Sequence, residues 1–400
     1  MKVMLLVPTM DRGGAEKQVV LLAQGLHTRG HDVRVCLLTR DGPRSETLRA
    51  AGIPVEVIGK RWKGDPTALV RLSRSIRNWQ PDVVHTWLFA ANSFGRVAAR
   101  RAGVPVVIAS ERCVDPWKRG WNFWVDRRLQ KITDAITTNS HGVVEFYSRH
   151  GIDASQFVVI PNGILPPAEE TPGLSRKEAL TRLGVAEDRK LIVAVGRLWP
   201  QKRVRDMIWA GELLGSLRGD TSLVIVGDGP QRGELMRHRD AVSRPETVCF
   251  AGWRDDLAEW LPHADVFWIA SQYEGQSNAV IEAMQAGVPV IASDIPGNRD
   301  LITDGQTGWL FPLGDEAELA RRTNAIWQDP PLIKNVTAAA KEKIATEFSV
   351  GAMVQRHEEL YQRLLSGASK KGRTSAARKN DPQTTVSPSG GNSSEAARTA

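Results

Sequence analysis

Short runs of consecutive apolar residues recur along the chain, separated by stretches with the helical period of about 3.6 residues. In the first half these runs predict strands at Val3–Val7, Val33–Leu38, Val55–Ile58, Val83–His85, Val104–Ala109, Ala135–Thr138 and Val158–Ile160. In the second half they predict strands at Leu191–Val195, Leu223–Val226, Thr247–Phe250, Val266–Ile269, Val288–Ala292 and Trp309–Phe311. A helix is predicted over Ala15–His27, where Val19, Leu22 and Leu26 share one face. Continuous Val, Ile and Leu runs that alternate with helices are typical of parallel sheets covered on both faces.

Two such series predict an α/β protein with two doubly wound, Rossmann-like domains, whose ligands bind at the carboxyl ends of the strands. The turn-forming residues 161–167 predict a boundary between an N-terminal domain, 1–165, and a C-terminal domain, 166–345. A C-terminal helix is expected over 346–366. The segment 367–400 is rich in Ser, Gly, Ala and Pro and is expected to be disordered.

Composition excludes several classes of protein. Hydrophobic residues make up 42% of the 400 residues and charged residues 24%, which is ordinary for a globular protein. No apolar run approaches the ~18 residues that a spanning helix needs. The apolar start of the chain is interrupted at Pro8 and is too short for a signal peptide. The cysteines, Cys36, Cys113 and Cys249, have neither disulfide-framework nor metal-ligand spacing, which favours a cytoplasmic location.

Charge is distributed unevenly, although its net value is only +8. Residues 1–165 carry 24 Lys and Arg against 14 Asp and Glu, a net charge of +10. Residues 166–365 carry 23 against 29, a net −6, and residues 366–400 carry 6 against 2, a net +4. Either the first half faces an anionic partner or its arginines only solvate the surface, and the charge pattern leaves both open.

The most specific chemistry lies in residues 271–294, SQYEGQSNAVIEAMQAGVPVIASD. Gly275 allows a tight bend after a strand, and Ser277 can cap a helix over Asn278–Ala286 that Gly287 ends. The free backbone N–H groups at the start of such a helix form an anion site suited to a diphosphate.

Two glutamates spaced E-x7-E frame this helix. Glu274 precedes it, and Glu282 lies one to two turns inside it. Both carboxylates can therefore face one ligand, and Glu282 is better placed for hydroxyl groups than for phosphate. A capped helix with two solvent-facing glutamates has the same spacing, so the pattern alone does not decide.

Two further loops have candidate ligand-binding residues, and each follows the first predicted strand of one half of the chain. Residues 196–202, GRLWPQK, place Arg197 and Lys202 at a strand's carboxyl end, where a guanidinium fork and a point charge suit a diphosphate. In the N-terminal half, the loop 11–16 contains Gly13 and Gly14 between strand and helix, which allows a ligand to approach the backbone closely. This loop lacks the G-x-G-x-x-G fingerprint, so a dinucleotide site is weakly supported.

Six motifs follow one another along residues 1–365: GGAEKQ, PNGI, VGRLWPQK, VGDGP, FAGWRDDL and YEGQSNAVIEAMQAGVPVIAS. In this order they resemble the retaining glycosyltransferases of family 4. Members of that family have the GT-B architecture, in which two Rossmann-like domains face each other across a cleft. The resemblance implies a nucleotide-diphosphate-sugar donor, with a UDP-sugar expected, and retention of the anomeric configuration. It implies no required cofactor, and no aspartate cluster in the sequence suggests a metal. The expected acceptor is lipid-linked or a polysaccharide of cell-envelope or exopolysaccharide biosynthesis.

The resemblance also assigns roles to residues of this chain. Arg197 and Lys202 would hold the diphosphate, and with Glu274 they form the predicted catalytic set. Glu282 would bind the ribose. Glu274 and the backbone of the following turn would contact the donor sugar; that turn consists of Gly275, Gln276, Ser277 and Asn278.

Two assignments concern the edges of the donor site. Gly13 and Gly14 would let the N-terminal domain close over the phosphates, and Arg254 would lie near the base. Many relatives have a cleft histidine after the strand that matches Val104–Ala109. This chain has Glu111 and Arg112 there, and His85 is a further cleft candidate.

The acceptor side is predicted at DPWKRGWNFWVDRRLQKI, which starts at Asp115. Asp115 could cap a helix whose first residue is Pro116. At helical spacing one face carries aromatic and basic side chains, which suit an anionic membrane surface or a lipid-diphosphate acceptor. These residues are Trp117, Trp121, Trp124, Arg128 and Lys131. Core packing of the tryptophans is the alternative.

Three other functions remain open from the sequence. A nucleotide-sugar epimerase or a phosphorylase could share the architecture, although no distinctive lysine for an aldehyde cofactor is present. A nicotinamide dehydrogenase is opposed by the missing glycine fingerprint. A non-catalytic sugar or nucleic-acid binder is suggested by a pI near 9.5, but no nucleic-acid motif is present.

Overall fold

The structure of the protein, a computed structural model, describes residues 1–167, 174–244 and 246–379. The strands of the first half are β1 (Lys2–Val7), β2 (Asp32–Leu37), β3 (Val55–Val57), β4 (Val83–Trp87), β5 (Val106–Glu111), β6 (Ala135–Thr138) and β7 (Phe157–Val159). Those of the second half are β8 (Lys190–Val195), β9 (Thr221–Val226), β10 (Val248–Gly252), β11 (Val266–Ile269), β12 (Val290–Ser293) and β13 (Trp309–Phe311). Each predicted strand overlaps an observed one.

The helices lie between the strands and after them. In the first half they are α1 (Gly14–Thr28), α2 (Ser45–Ala50), α3 (Pro66–Trp79), α4 (Leu88–Arg101), α5 (Gly120–Leu129) and α6 (His141–Arg149). In the second half they are α7 (Arg176–Leu183), α8 (Val204–Arg218), α9 (Arg232–Val242), α10 (Leu257–Trp260), α11 (Asn278–Ala286), α12 (Pro296–Arg299), α13 (Glu316–Ile326), α14 (Pro330–Glu347) and α15 (Val350–Lys379).

The strands form two separate parallel sheets, which confirms the predicted two-unit α/β architecture. The first sheet has the order β3-β2-β1-β4-β5-β6-β7, and the second has the order β10-β9-β8-β11-β12-β13. Apolar side chains pack on both faces of each sheet, which explains the continuous apolar runs. The strand order reverses direction between β1 and β4 and between β8 and β11. A crevice opens at such a switch point at the carboxyl ends of the strands, so both predicted glycine loops lie where ligands bind in this architecture.

The chain passes between the two units twice, and the two passages are hydrogen-bonded to each other. Ile164 N donates to Phe348 O at 2.7 Å, and Val350 N donates to Ile164 O at 3.1 Å. After the second passage, α15 packs on the first sheet, where Met353 and Tyr361 are fully buried in the core of the N-terminal unit. The first unit therefore contains residues from both ends of the chain. The two hydrogen-bonded passages, at Ile164 and at Phe348–Val350, are the hinge between the units.

The end of the chain is divided differently from the expected helix 346–366. Helix α14 runs up to Glu347, and after a break α15 runs from Val350 through Lys379. Disorder of the tail from residue 367 onward stays a prediction. Residues 380–400 of this tail lie outside the described residues. Within the described ranges, no helix combines the length and apolarity that crossing a bilayer requires.

Candidate functional site

The carboxyl ends of the two sheets meet in a cleft, and the loop before α11 forms one wall of it. The helix has the predicted bounds, Asn278–Ala286, and ends at Gly287, whose φ of 78° is left-handed. Ser277 is the N-cap residue, but its side chain makes no capping hydrogen bond, so that expectation is wrong in detail. The first backbone N–H groups of α11 have no partner within the helix, which leaves them free for an anion.

Lys202 and Glu274 face each other at the switch point of the second sheet. Lys202 ends a short 3-10 turn, Pro200–Lys202, and its Nζ donates to the carboxylate of Glu274. Both side chains are largely buried, with 18% and 9% of their surface exposed. Gln201 fixes the turn against the next loop, because its Nε2 donates to Tyr273 O at 2.7 Å. The loops after β8 and β11 thus bring together two residues that are 72 positions apart in sequence.

Arg197 follows β8 and is exposed, and its charge acts on Glu16 of α1 in the other unit. Glu16 is only 6% exposed, and this burial raises the pKa of its carboxyl, while the positive charge of Arg197 opposes the rise. Sequence reasoning did not single out Glu16. The signal was present in its position three residues after Gly13, the N-cap of α1, where glutamate commonly faces the helix start.

Glu282 of α11 makes an ion pair across the cleft. Its Oε1 lies 2.6 Å from Nζ of Lys17 on α1, and both side chains remain partly accessible, at 22% and 31%. Lys17 was missed because helical periodicity only places it on the polar face of α1 and does not indicate its partner. The pair shows that a carboxylate within α11 faces the N-terminal unit, so a ligand that binds there would contact both units.

Glycines permit the close approach of the two walls. A Cβ on Gly275 would lie 2.2 Å from Arg112 O and 2.6 Å from the Asn139 side chain, so only glycine fits. Gly14 lies directly against Asn278 of the other unit, whose Nδ2 donates to Gly14 O at 3.2 Å. The glycine loop of the first unit therefore contacts the start of α11 through Gly14.

The amide side chains of the turn after Gly275 contact the first unit and the passage between the units. Gln276 accepts a hydrogen bond from Asn162 N at 2.9 Å, and the Asn278 side chain contacts Asn162, Gln18 and Gly14. Contact between the backbone of this turn and the donor stays a prediction.

Arg254 is held within its own loop. Its guanidinium makes two hydrogen bonds to Asp256, at 2.8 and 2.5 Å. The neighbouring Trp253 is 42% exposed and lies under the guanidinium of Arg12 from the opposite wall, 5.5 Å from the ring centre. The loop thus reaches the cleft, but its exposed contact surface is Trp253 rather than the Arg254 side chain.

His85 and Glu111 are not cleft residues. His85 is fully buried, 2.7 Å from the Tyr361 hydroxyl and 3.0 Å from Thr137 Oγ1, and burial lowers the pKa of His85 well below its usual value. Glu111 is 4% exposed and lies among Asn92, Lys118 and Tyr147. His85 is the middle residue of β4 and Glu111 is the last residue of β5, and both side chains are used up in buried hydrogen bonds.

Glu111 belongs to a buried ionic cluster that fixes the loop after β5. Burial raises the pKa of Glu111, and the charge of Lys118 opposes the rise. Lys118 Nζ also lies 3.0 Å from Asp126, which pairs with Arg96 at 2.9 Å. A buried charge needs such partners, so the cluster is a structural anchor for the segment that carries the tryptophans.

Arg112 lies at the floor of the cleft beneath Gly275. Its guanidinium donates to the Asn162 side chain and stacks on Trp87, with 4.8 Å to the ring centre. Burial lowers the pKa of Arg112 to about 9. Its side chain therefore faces the hinge, and its carbonyl oxygen faces the donor loop.

The aromatic segment is exposed but does not form the predicted helix. The helix begins at Gly120 rather than after Asp115, because Arg119 is the N-cap residue and its backbone N donates to Asn122 Oδ1 at 3.0 Å. Trp117 lies in the preceding loop and packs edge-on against Phe89. The exposed fractions are 55% for Trp117, 69% for Trp121 and 44% for Trp124, so core packing is wrong for all three.

Basic side chains accompany these rings. Trp121 and Trp124 stack with 5.0 Å between ring centres, and Arg128 lies over Trp124 at 5.3 Å. Arg128 and Lys131 are exposed. We call the set of Trp117, Trp121, Trp124, Arg128 and Lys131 the aromatic–basic patch.

In the part of the chain that the structure describes, no group of three or more His, Cys, Asp or Glu side chains could hold a metal ion. The positive groups near the switch point of the second sheet are Lys202, Arg197 and the start of α11.

Sequence families match both units. The profile described as Glycosyltransferase Family 4 matches residues 12–166, and the profile described as Glycosyl transferases group 1 matches residues 189–329. The matched segments contain the glycine loop of the first unit and the E-x7-E segment of the second.

Curated relatives cover most of the chain. An Escherichia coli protein, UDP-Gal:alpha-D-GlcNAc-diphosphoundecaprenol alpha-1,3-galactosyltransferase, is 28% identical over 79% of this chain and 84% of its own length. A Mycobacterium tuberculosis GDP-mannose-dependent alpha-mannosyltransferase is 31% identical over 76% of this chain and 81% of its own length. A solved structure, Anabaena HepE in complex with UDP-glucose, shares the fold with a TM-score of 0.82 and 23% identity, covering 91% of this chain and all of the other.

Proposed function

The chain belongs to the glycosyltransferases of family 4, with the GT-B fold, and from that premise we propose that it transfers a sugar with retention from a UDP-sugar to a lipid-linked or polysaccharide acceptor. The observation that carries the donor site is the convergence of Lys202, Glu274 and the start of α11 at the switch point of the second sheet. The glycine loop of the first unit closes the same crevice from the opposite side.

The charges of the cleft match those of the reaction. The bond between the anomeric carbon and the diphosphate oxygen breaks, and its electron pair leaves with the diphosphate. Lys202, Arg197 and the free N–H groups of α11 stabilise the negative charge that develops there, which is commonly the largest contribution to catalysis. Glu274 lies beside Lys202, where it can contact the donor sugar and stabilise positive charge at the anomeric carbon.

Retention follows if the acceptor attacks on the side from which the diphosphate leaves. The acceptor oxygen forms the new bond to the anomeric carbon, and its proton passes to the departing diphosphate oxygen. That geometry requires the acceptor to enter beside the loop after β5. This loop is anchored by the buried cluster around Lys118 and carries the aromatic–basic patch.

The donor and acceptor classes draw support from the relatives. Anabaena HepE was crystallised with UDP and with UDP-glucose, and the Escherichia coli relative uses UDP-Gal and a diphosphoundecaprenol-linked acceptor. The Mycobacterium tuberculosis relative depends on GDP-mannose, which makes a GDP-sugar the donor to test against a UDP-sugar.

The donor is identified by a panel of nucleotide sugars. We expect UDP-sugars to raise the melting temperature because a ligand that binds only the folded state stabilises it by mass action. Product analysis with and without acceptor then separates the functions. Transfer consumes donor only with acceptor, whereas interconversion of the donor sugar without acceptor would indicate an epimerase and contradict the proposal.

The acceptor proposal includes docking of the patch on an anionic membrane at the cytoplasmic face. We expect the purified protein to sediment with vesicles that contain anionic lipid at low salt, and less at high salt, because exposed charges are screened. Replacing Trp121 and Trp124 together by serine should weaken binding by about 100-fold or more, since each buried ring contributes about 1.5–3 kcal/mol and each 1.4 kcal/mol is tenfold.

Trp209 provides a matched control for this experiment. It lies on α8 of the other unit and is 43% exposed, close to the 44% of Trp124. Trp209→Ser should leave vesicle binding unchanged. Equal sedimentation with neutral and anionic vesicles, or an equal loss in both variants, would rule out docking through the patch.

A further inference from the structure

Asn162 occupies the first passage between the two units and is only 3% exposed. Its backbone N donates to Gln276 Oε1 at 2.9 Å. Its side-chain Nδ2 donates to Gln276 O at 3.2 Å and to Asn278 Oδ1 at 2.7 Å, and its Oδ1 accepts from Arg112. Both side-chain donors are thus used on the donor loop, and the acceptor is used on the N-terminal unit.

A second amide extends these contacts to α1. Gln18 is 1% exposed, and its Nε2 donates to Gly163 O at 3.0 Å and to Asn278 Oδ1 at 3.1 Å, while its Oε1 accepts from Gly163 N at 2.8 Å. Asn278 in turn donates to Gly14 O at 3.2 Å. We call Gln18, Asn162, Gln276 and Asn278 the amide hub.

The amide hub links the four segments of the chain that surround the proposed donor site. It connects the hinge, the glycine loop at Gly14, the loop after β5 through Arg112, and the residues that open α11. The side-chain polar atoms of Gln18, Asn162 and Asn278 are all hydrogen-bonded to other hub amides, to the backbone or to Arg112, so these three need not contact the donor. Buried amides that are fully hydrogen-bonded specify one arrangement, since any other leaves donors or acceptors unpaired.

We infer that the amide hub sets the closed position of the two units, with Asn162 and Gln18 as positioning residues for the transfer reaction. In this arrangement Lys17 reaches Glu282, and the backbone of Gly14 faces the start of α11. This role of the amide hub rests on the proposed donor site, because the hub would hold the glycine loop over the donor diphosphate. Hinge closure of this kind depends on a few residues at the passage between domains.

Single-atom substitutions test this role. Asn162→Asp replaces Nδ2 by an oxygen, which would face Gln276 O and Asn278 Oδ1, both acceptors. Gln18→Glu likewise places an oxygen against Gly163 O and Asn278 Oδ1. Shape and volume are kept in both variants, and each loses two donors and gains a negative charge that faces two acceptors.

The expected result separates binding from turnover. UDP, titrated calorimetrically, should bind both variants within about threefold of the wild type, because the expected diphosphate contacts on the C-terminal unit are intact. We also expect a lower turnover number with the donor that the panel identifies, expressed per UDP-binding site. It should fall by about 10–100-fold, as expected when reacting groups are displaced by ~1 Å. The radius of gyration in the presence of UDP should rise relative to the wild type.

Asn324→Asp is the matched control. Asn324 lies on α13, and its Oδ1 accepts from Arg218 at 3.3 Å; Asp keeps that acceptor, and among the described residues its second oxygen replaces an Nδ2 that makes no hydrogen bond. It should leave UDP affinity, turnover and the radius of gyration unchanged. Counting only UDP-binding sites removes any contribution of misfolded protein.

Two results would overturn the inference. One is an unchanged turnover number per binding site in both Asn162→Asp and Gln18→Glu. The other is a loss of turnover without any change in the radius of gyration. Failure of the donor site itself is distinguishable, because it would abolish UDP binding to the wild type.

Discussion

Replacing Lys202 by alanine is expected to lower kcat by about 10²–10³-fold, the usual effect of removing one group that stabilises developing negative charge. Lys202 Nζ lies at the switch point of the second sheet, beside the start of α11, and it is the least exposed of the positive side chains there. In water its charge would be screened, but in this crevice the lower effective dielectric strengthens its attraction to a departing diphosphate.

The substitution has a second consequence because Lys202 is paired with Glu274. Glu274 is 8% exposed, and without the lysine its carboxylate would be left without its closest positive partner. A buried charge left without its partner is strongly destabilising, so Lys202→Ala should also lower the melting temperature.

Lys190→Ala is the control for this variant. Lys190 begins the same strand, β8, at the opposite edge of the sheet, and its Nζ lies 3.1 Å from Asp265. It should retain wild-type turnover. Equal turnover of Lys202→Ala and Lys190→Ala would remove Lys202 from the catalytic set.

Replacing Glu282 by alanine is expected to weaken the binding of UDP by roughly 2–4 kcal/mol, as estimated for lost charge-assisted contacts. Its carboxylate lies in the second turn of α11 and faces the N-terminal unit, where Lys17 holds it at 2.6 Å. A ribose that enters the cleft would meet this carboxylate as a hydrogen-bond acceptor. Isothermal titration of UDP measures the effect directly.

The ion pair with Lys17 gives this prediction an internal check. If Glu282 binds ribose, Glu282→Gln should retain part of the affinity because the amide oxygen still accepts a hydrogen bond. Lys17→Ala should change affinity less than Glu282→Ala, since the lysine orients the carboxylate from the opposite wall. Glu259→Ala, which breaks an ion pair of 2.8 Å with Arg182 on the surface of the same unit, should have no effect.

Unchanged UDP affinity in Glu282→Ala would contradict the ribose assignment. Equal weakening in Glu282→Ala and Glu259→Ala would point to a general loss of stability instead. The melting temperature of each variant, measured without ligand, separates these two results.

Much of the fold could be predicted because both sheets are parallel and buried. Strands covered on both faces are continuous apolar runs, so even the short strand Trp309–Phe311 was visible in the sequence. Helix α11 was predicted to the residue, since Gly287 must take a left-handed conformation to end it. Such local rules depend on neighbours in sequence and need no knowledge of the fold.

The start of α5 could not be predicted from the same rules. Asp115 followed by Pro116 is a good capping sequence, but the Asp115 carboxylate is instead held by the Tyr147 hydroxyl at 2.9 Å and by Trp117 Nε1 at 3.0 Å. Contacts from a distant helix thus override a local preference. The helix then begins at Gly120.

The candidate site was predictable in its charged residues and not in its amides. Lys202 and Glu274 follow strands and precede helices, so their location at the carboxyl edge was visible in the sequence. Gln18 and Asn162 carry no charge and have no periodic pattern, and their partners lie 145 and 114 residues away. Only the folded structure brings such residues together.

The most direct test of the proposed transfer reaction measures the release of nucleotide and the formation of glycosylated product in the same sample. The wild type, incubated with the UDP-sugar that the panel selects and with a lipid-diphosphate-linked sugar acceptor, should release one UDP for each product formed. Lys202→Ala should form product about 10²–10³-fold more slowly, and Lys190→Ala should match the wild type. Product formation by Lys202→Ala at the wild-type rate, or sugar interconversion without UDP release, would contradict the account.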